Sequence, residues 1–163
     1  MALTQITGTG IGSVDSLTPT TIQLGGSGSA NALDDYEEGT WTPGISGASG
    51  SGGATGGVGR YTKIGNQVII AGHISPTNLG SLSGTFYVTG LPFTSRNQFI
   101  QSQGAVRSQG IGGTNHQSVS FEVLQASQNG RFHFHSSTGS QLVVQVSDIS
   151  VSDFVAFGLT YEV

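Results

Sequence analysis

No cysteine occurs in the 163 residues, so neither a disulfide nor a thiolate metal site can staple this chain, and cysteine usage leaves the redox compartment open. Charge is nearly as scarce. Asp, Glu, Lys and Arg together make up 9% of the sequence, against roughly 25% in ordinary globular domains. Only five residues are cationic, Arg60, Lys63, Arg96, Arg107 and Arg131, no two of them adjacent, and the net charge is −4. A surface that tracks phosphates needs clustered cations, so nucleic-acid binding is not expected. No stretch approaches the roughly 20 apolar residues of a membrane span. The start, MALTQITGTGIGS, lacks the basic and continuously apolar regions of a signal peptide. Membrane insertion is therefore not expected. Nor does any stretch keep a helical period for three turns.

What is abundant is glycine, 27 residues, more than twice the usual share of about 7%. With Ser, Thr, Asn and Gln supplying solubility, such a composition is either disordered or all-β. Periodicity after residue 60 decides for strands, because apolar clusters can offset the entropy of ordering. Arg60–Ile64 and Gln67–Ser75 flank Gly65-Asn66, a two-residue hairpin turn in which glycine supplies positive φ. Further strands are predicted at Thr85–Thr89, Gly104–Ser108, Ser118–Leu124, Arg131–Ser136, Gln141–Val146 and Phe154–Val163. Short strands at regular spacing predict an all-β, jelly-roll-like antiparallel sandwich spanning about residues 38 to 163. Its expected core contains Val119, Phe121, Phe132, Phe134, Leu142, Val144, Phe157 and Leu159.

Three segments are expected along the chain. Residues 1–33 carry thinly spaced apolar side chains, Leu3, Ile6, Ile11, Val14, Leu17, Ile22 and Leu24, too few to bury a core. They read as an extended attachment arm that orders only against a sister subunit or a larger assembly. Residues 34–59 hold an acidic segment and a glycine-rich stretch, GISGASGSGGATGGVG, expected to be a surface loop leading into the domain. Residues 60–163 supply the sandwich.

Candidate chemistry is sparse. Asp34, Asp35, Glu37 and Glu38 crowd around Tyr36; paired carboxylates can cleave a glycosidic bond or hold a hard cation. A solvated linker or a docking segment accounts for them more simply. His133 and His135 share one face of a predicted strand and, repeated about a threefold axis, would offer transition-metal ligands; polar residues on the wet face of that strand are the simpler reading. No Gly-x-Ser-x-Gly elbow occurs in a strand-to-helix setting, and the glycine runs at 8–12 and 56–59 lack the following helix a phosphate loop needs. No cofactor and no catalytic residue is assigned. Trp41, with Tyr36 and Pro43, could stack on sugar, although a lone Trp in a β domain is more often a core or interface anchor. Tyr36 and Trp41 therefore join the apolar residues of the arm as expected attachment or interface positions.

Residues 33–43, Leu-Asp-Asp-Tyr-Glu-Glu-Gly-Thr-Trp-Thr-Pro, are followed by Tyr61-Thr-Lys-Ile-Gly-Asn-Gln-Val68 and by Gly90-Leu-Pro-Phe93. Together these resemble the C-terminal β-sandwich domain of phage and prophage tail-fibre-like virion proteins, over about residues 32 to 163. The resemblance implies a non-enzymatic virion protein, usually trimeric, made in the host cytoplasm and displayed on the particle surface. A tail fibre normally carries a long shaft where this chain offers some thirty residues of arm. The expected role is thus capsid decoration or a head-fibre-like protein held by its arm. A tail-fibre or tail-tip receptor-binding protein that contacts host glycan is the alternative, and a polysaccharide depolymerase the third. Expected partners are other copies of the chain and other virion proteins of capsid or tail. A modest core with many sheet edges and little charge to protect them favours cover by neighbouring subunits; the resemblance sets their number at three.

Overall fold

Strand-forming alternation becomes a nearly complete β architecture in the computed structural model, which describes residues 21–23, 28, 32–33, 35–97, 103–111 and 116–163. The chain divides into two units, Met1–Asp34 and Asp35–Val163. In the first, β1 (Ile22–Gln23) pairs antiparallel with β2 (Ala32–Leu33). The second contains β3 (Tyr36–Trp41), β4 (Gly44–Ser49), β5 (Ala54–Ile64), β6 (Gln67–Asn78), β7 (Ser83–Thr89), β8 (Gln103–Gln109), β9 (His116–Val123), β10 (Gly130–Ser136), β11 (Gln141–Val143) and β12 (Phe154–Glu162). Among the described residues the only helical element is a single 3-10 turn, Val146–Asp148.

The strands of the second unit follow one antiparallel order, β3-β5-β6-β12-β8-β9-β10-β7-β4, with β11 added on β10. Pairing across β8 and β9 is confined to Gln103–Ala105 with Ser120–Glu122, and there the sheet parts into two layers. Inward side chains of the layers meet face to face. The Phe157 ring on β12 lies 4.3 Å from Phe121 on β9 and 5.7 Å from Phe132 on β10, centroid to centroid. The fold is therefore an all-β, jelly-roll-like antiparallel sandwich, as the alternation predicts.

The β5–β6 hairpin turns at Gly65-Asn66, with Gly65 at φ +58° and Ile64 opposite Gln67. The glycine-rich stretch differs from expectation. Only residues 50–53 form a connection; Gly44–Ser49 is β4, paired with β7, and residues 54–59 extend β5, which lies between β3 and β6. Glycine is required at one point in particular. The Trp41 indole lies across β5 and β6, and a Cβ on Gly59 would meet Trp41 Nε1 at 2.0 Å.

Of the expected core, Phe121, Phe132, Phe134, Val144, Phe157 and Leu159 are buried, and Val119 is half-buried against them. Leu142 is a correction. It is exposed, because β11 ends at Val143 and pairs with β10 alone, leaving no second strand beside it as cover. Val144 is buried, its N–H donating to Phe132 O and its carbonyl accepting from Phe86 N–H. His133 is a second correction: it is buried instead of lying on a wet face.

Gly59→Ala is expected to destabilise the fold by about 1–3 kcal/mol, since the Trp41 ring has to move to admit the methyl group. Gly56→Ala, whose Cβ would meet only Ser75 O at 3.8 Å, should be nearly neutral. Thermal unfolding of the two variants beside the parent checks this; equal midpoints would show that the indole does not depend on its glycine seat.

Candidate functional site

The three motif segments converge on one end of the sandwich. Successive residues of β3 point to opposite faces. Glu37, Gly39 and Trp41 turn inward, while Tyr36, Glu38 and Thr40 turn outward. Trp41 is buried, edge-on to Phe157 at 6.2 Å. Its Nε1 is buried without a hydrogen-bond partner. Tyr61, from the hairpin, donates its hydroxyl hydrogen to Glu37 Oε1 at 2.5 Å and packs edge-on to Phe93 at 5.3 Å. The Lys63 ammonium pairs with Asp35 and stands 5.7 Å from the centre of the Phe93 ring. Phe93 is held from below by Tyr161, whose hydroxyl accepts from Phe93 N–H at 3.2 Å and donates to Phe93 O at 3.0 Å. Burial pushes the Tyr161 phenol up to about 12.

This convergence answers how the acidic residues are used. Asp35 pairs with Lys63, Glu37 accepts from Tyr61, and Glu38 accepts from the exposed Tyr36 hydroxyl at 3.0 Å. Glu37 and Glu38 lie on opposite faces of one strand, so they cannot flank a common bond. Asp34 lies outside the described residues.

The histidines are not brought together as a ligand pair. His133 Nε2 lies 2.6 Å from Glu122 Oε2, which also accepts from Arg131 Nε at 2.8 Å. His135 Nε2 lies 2.7 Å from Ser120 Oγ. Burial alone would push the Glu122 carboxyl up, but hydrogen bonds and charge from Arg131 and His133 hold it below its ordinary value. Among the described residues, no group of three or more His, Cys, Asp or Glu side chains is placed to hold a metal ion. Glu122 had no signal in the sequence beyond its place in an alternating strand; only the β9–β10 register sets it diagonal to His133 and opposite Arg131.

Two open depressions lie among the described residues. Where β8 and β9 part, a cleft of about 500 Å³ is rimmed by Arg107, Ser108, Gln117 and Ser118 over Val106 and Phe134. A smaller groove of about 410 Å³ runs along β3 and β5 beside Glu38 and Arg60. Of the arm residues, Ile22 lies exposed in β1, whereas Leu3, Ile6, Ile11, Val14, Leu17 and Leu24 lie outside the described residues.

The chain matches no family model and no curated protein. In fold it is similar to the Dettilon tailspike protein, with a TM-score of 0.63 and 12% identity, over 78% of this chain and 24% of that one. The likeness thus spans about a quarter of the tailspike.

Glu122→Gln is expected to cost about 1–3 kcal/mol near neutral pH, because it weakens the acceptor shared by two donors, one of them buried. The Glu122 carboxyl is held below the ordinary carboxylate value when folded, so its contribution is fully present above that ordinary value and is lost as pH falls through the lower folded one. Denaturant titrations over the acid range should accordingly show a shallower acid slope for the variant; parallel curves would mean that the cluster is not coupled to folding.

Proposed function

We propose that this chain is a non-enzymatic structural protein of a bacteriophage particle, displayed on the virion surface as a homotrimer and attached through residues 1–33. The observation that carries the reading is the likeness in fold to a phage tailspike, which is independent of the three-part motif resembling tail-fibre-like domains. A non-enzymatic role is supported by the carboxylates of the acidic segment, since those described all serve as hydrogen-bond acceptors within the chain.

Two placements follow from this reading, capsid decoration and tail attachment. The tailspike likeness favours the second. Receptor binding to host glycan at the tail has one specific support, the polar-rimmed cleft between β8 and β9. Sugar recognition combines such hydrogen-bonding rims with an apolar floor.

Labelling the protein on intact particles for electron microscopy is expected to place it on the exterior, and its position on head or tail selects between the two placements. Label confined to the particle interior would end the surface reading. Incubation of the purified protein with host capsule or lipopolysaccharide is expected to leave chain length unchanged. Shortening that disappears in Asp35→Ala or Glu37→Ala would overturn the non-enzymatic assignment.

A further inference from the structure

The outward face of the β3, β5, β6, β12 and β8 layer is unusually apolar for a surface open to water. Among the described residues of the second unit, six large apolar side chains are exposed, and four of them, Tyr36, Val58, Ile64 and Ile69, stand on this one face at 57%, 50%, 45% and 49% exposure. Pair register sets Tyr36 opposite Ile64, Ile69 between Thr62 and Thr160, and Val58 opposite His73, with Arg60 and Thr62 between Val58 and Ile64 along β5. Between them lie Ala71 and Gly158, which raise no obstacle to close approach. In an isolated domain such strands alternate apolar inward and polar outward. An apolar outward face of this extent marks an interaction surface.

Charge on the face identifies the occupant. Three of the five cations have carboxylate partners within the chain, Lys63 with Asp35, Arg96 with Glu162 and Arg131 with Glu122. The other two, Arg60 and Arg107, have none among the described residues, and both project from this face. Arg107 stands on β8, packed over the Phe154 ring at 5.7 Å, on the opposite flank from β3. Glu38 stands on β3, bonded only to the neighbouring Tyr36 hydroxyl. The two flanks are four strand spacings apart, about 19 Å at about 4.8 Å each. Arg60 stands on β5 opposite Thr40, one outward pair along from Glu38, so the β3 flank carries both signs, whereas Arg107 stands on the β8 flank. Glu38 and Arg107, neither in an ion pair among the described residues, are complementary between two copies.

We infer that this face is where a second copy of the chain docks, its Glu38 flank against the Arg107 flank of its neighbour and the Val58, Ile64 and Ile69 side chains buried between them. The inference rests on the homo-oligomer reading above and locates its interface. It makes the outward Ile69 an interface anchor, although it contributes nothing to the core of its own subunit.

The test is light scattering of the full chain from nanomolar to tens of micromolar concentration, with circular dichroism and thermal unfolding as the check of fold. The parent is expected as an oligomer, and Ile69→Glu should raise the midpoint concentration for assembly by about thirtyfold or more, the scale of an interface hot spot. Arg107→Glu and Glu38→Arg should each weaken assembly, and combining them should restore much of it. An Ile69→Glu variant that folds and assembles like the parent, together with additive effects of the two charge reversals, would overturn this interface while leaving the homo-oligomer reading intact. A parent that remains at 16.6 kDa throughout would overturn both. Should Ile69→Glu fail to fold, the charge pair alone decides.

Discussion

Phe157 is where the two layers of the sandwich are held to each other. Its ring touches Phe121 and Phe132 from the opposite layer and Trp41 from its own, so that one side chain gathers strands β3, β9, β10 and β12. Aromatic rings bury large areas and prefer tilted or edge-on contacts of this kind. The arrangement works only because the strands beside the Trp41 ring carry no side chains at the crossing. Gly59 and Gly72 lie opposite each other in the β5–β6 ladder, and the indole occupies the space their side chains would fill. A chain rich in glycine thus obtains a dense core by laying its one tryptophan over bare backbone.

The rest of that end of the molecule follows from this packing. Trp41 draws β3 against β5, which brings Glu37 to Tyr61 and Asp35 to Lys63, and Tyr61 in turn closes over Phe93. Phe93 is pinned through its own main chain by the Tyr161 hydroxyl. Residues that read as a motif in the sequence are therefore neighbours in space that complete one another. Charge, which the chain has in short supply, is placed mostly in this end and in the Glu122 cluster, where each group has a partner. Among the described residues, Arg60 and Arg107 are without a carboxylate partner, and both lie on the outward face.

These features bear on function through what they leave available. The described carboxylates of the acidic segment are occupied in structure, and His133 and His135 are bound to Glu122 and Ser120 respectively. What remains open to a partner is a broad sheet face and a cleft where β8 and β9 separate. Such surfaces suit assembly and recognition. The similarity to a quarter of a tailspike is a likeness of fold.

The sequence by itself determined the all-β class, the β5–β6 hairpin, and the inward sets of β9, β10 and β12, because alternation along a strand is a local property of the chain. Phe132, Phe134, Phe157 and Leu159 could be assigned to the core from their spacing alone. Tertiary structure decided what depends on neighbours. The glycine-rich stretch has only Ile45 and Val58 as large apolar side chains, too few to alternate, so its strands were illegible; β4 and the start of β5 exist because β7 and β6, respectively, lie beside them. Leu142 keeps the right spacing and is exposed, because no second strand covers it, while His133 is buried because the β9 register sets Glu122 against it. The pairing of each carboxylate and the gathering of Tyr36, Val58, Ile64 and Ile69 on one face likewise come from register between strands distant in sequence. Periodicity states which way a side chain points; only the folded chain supplies what it points at.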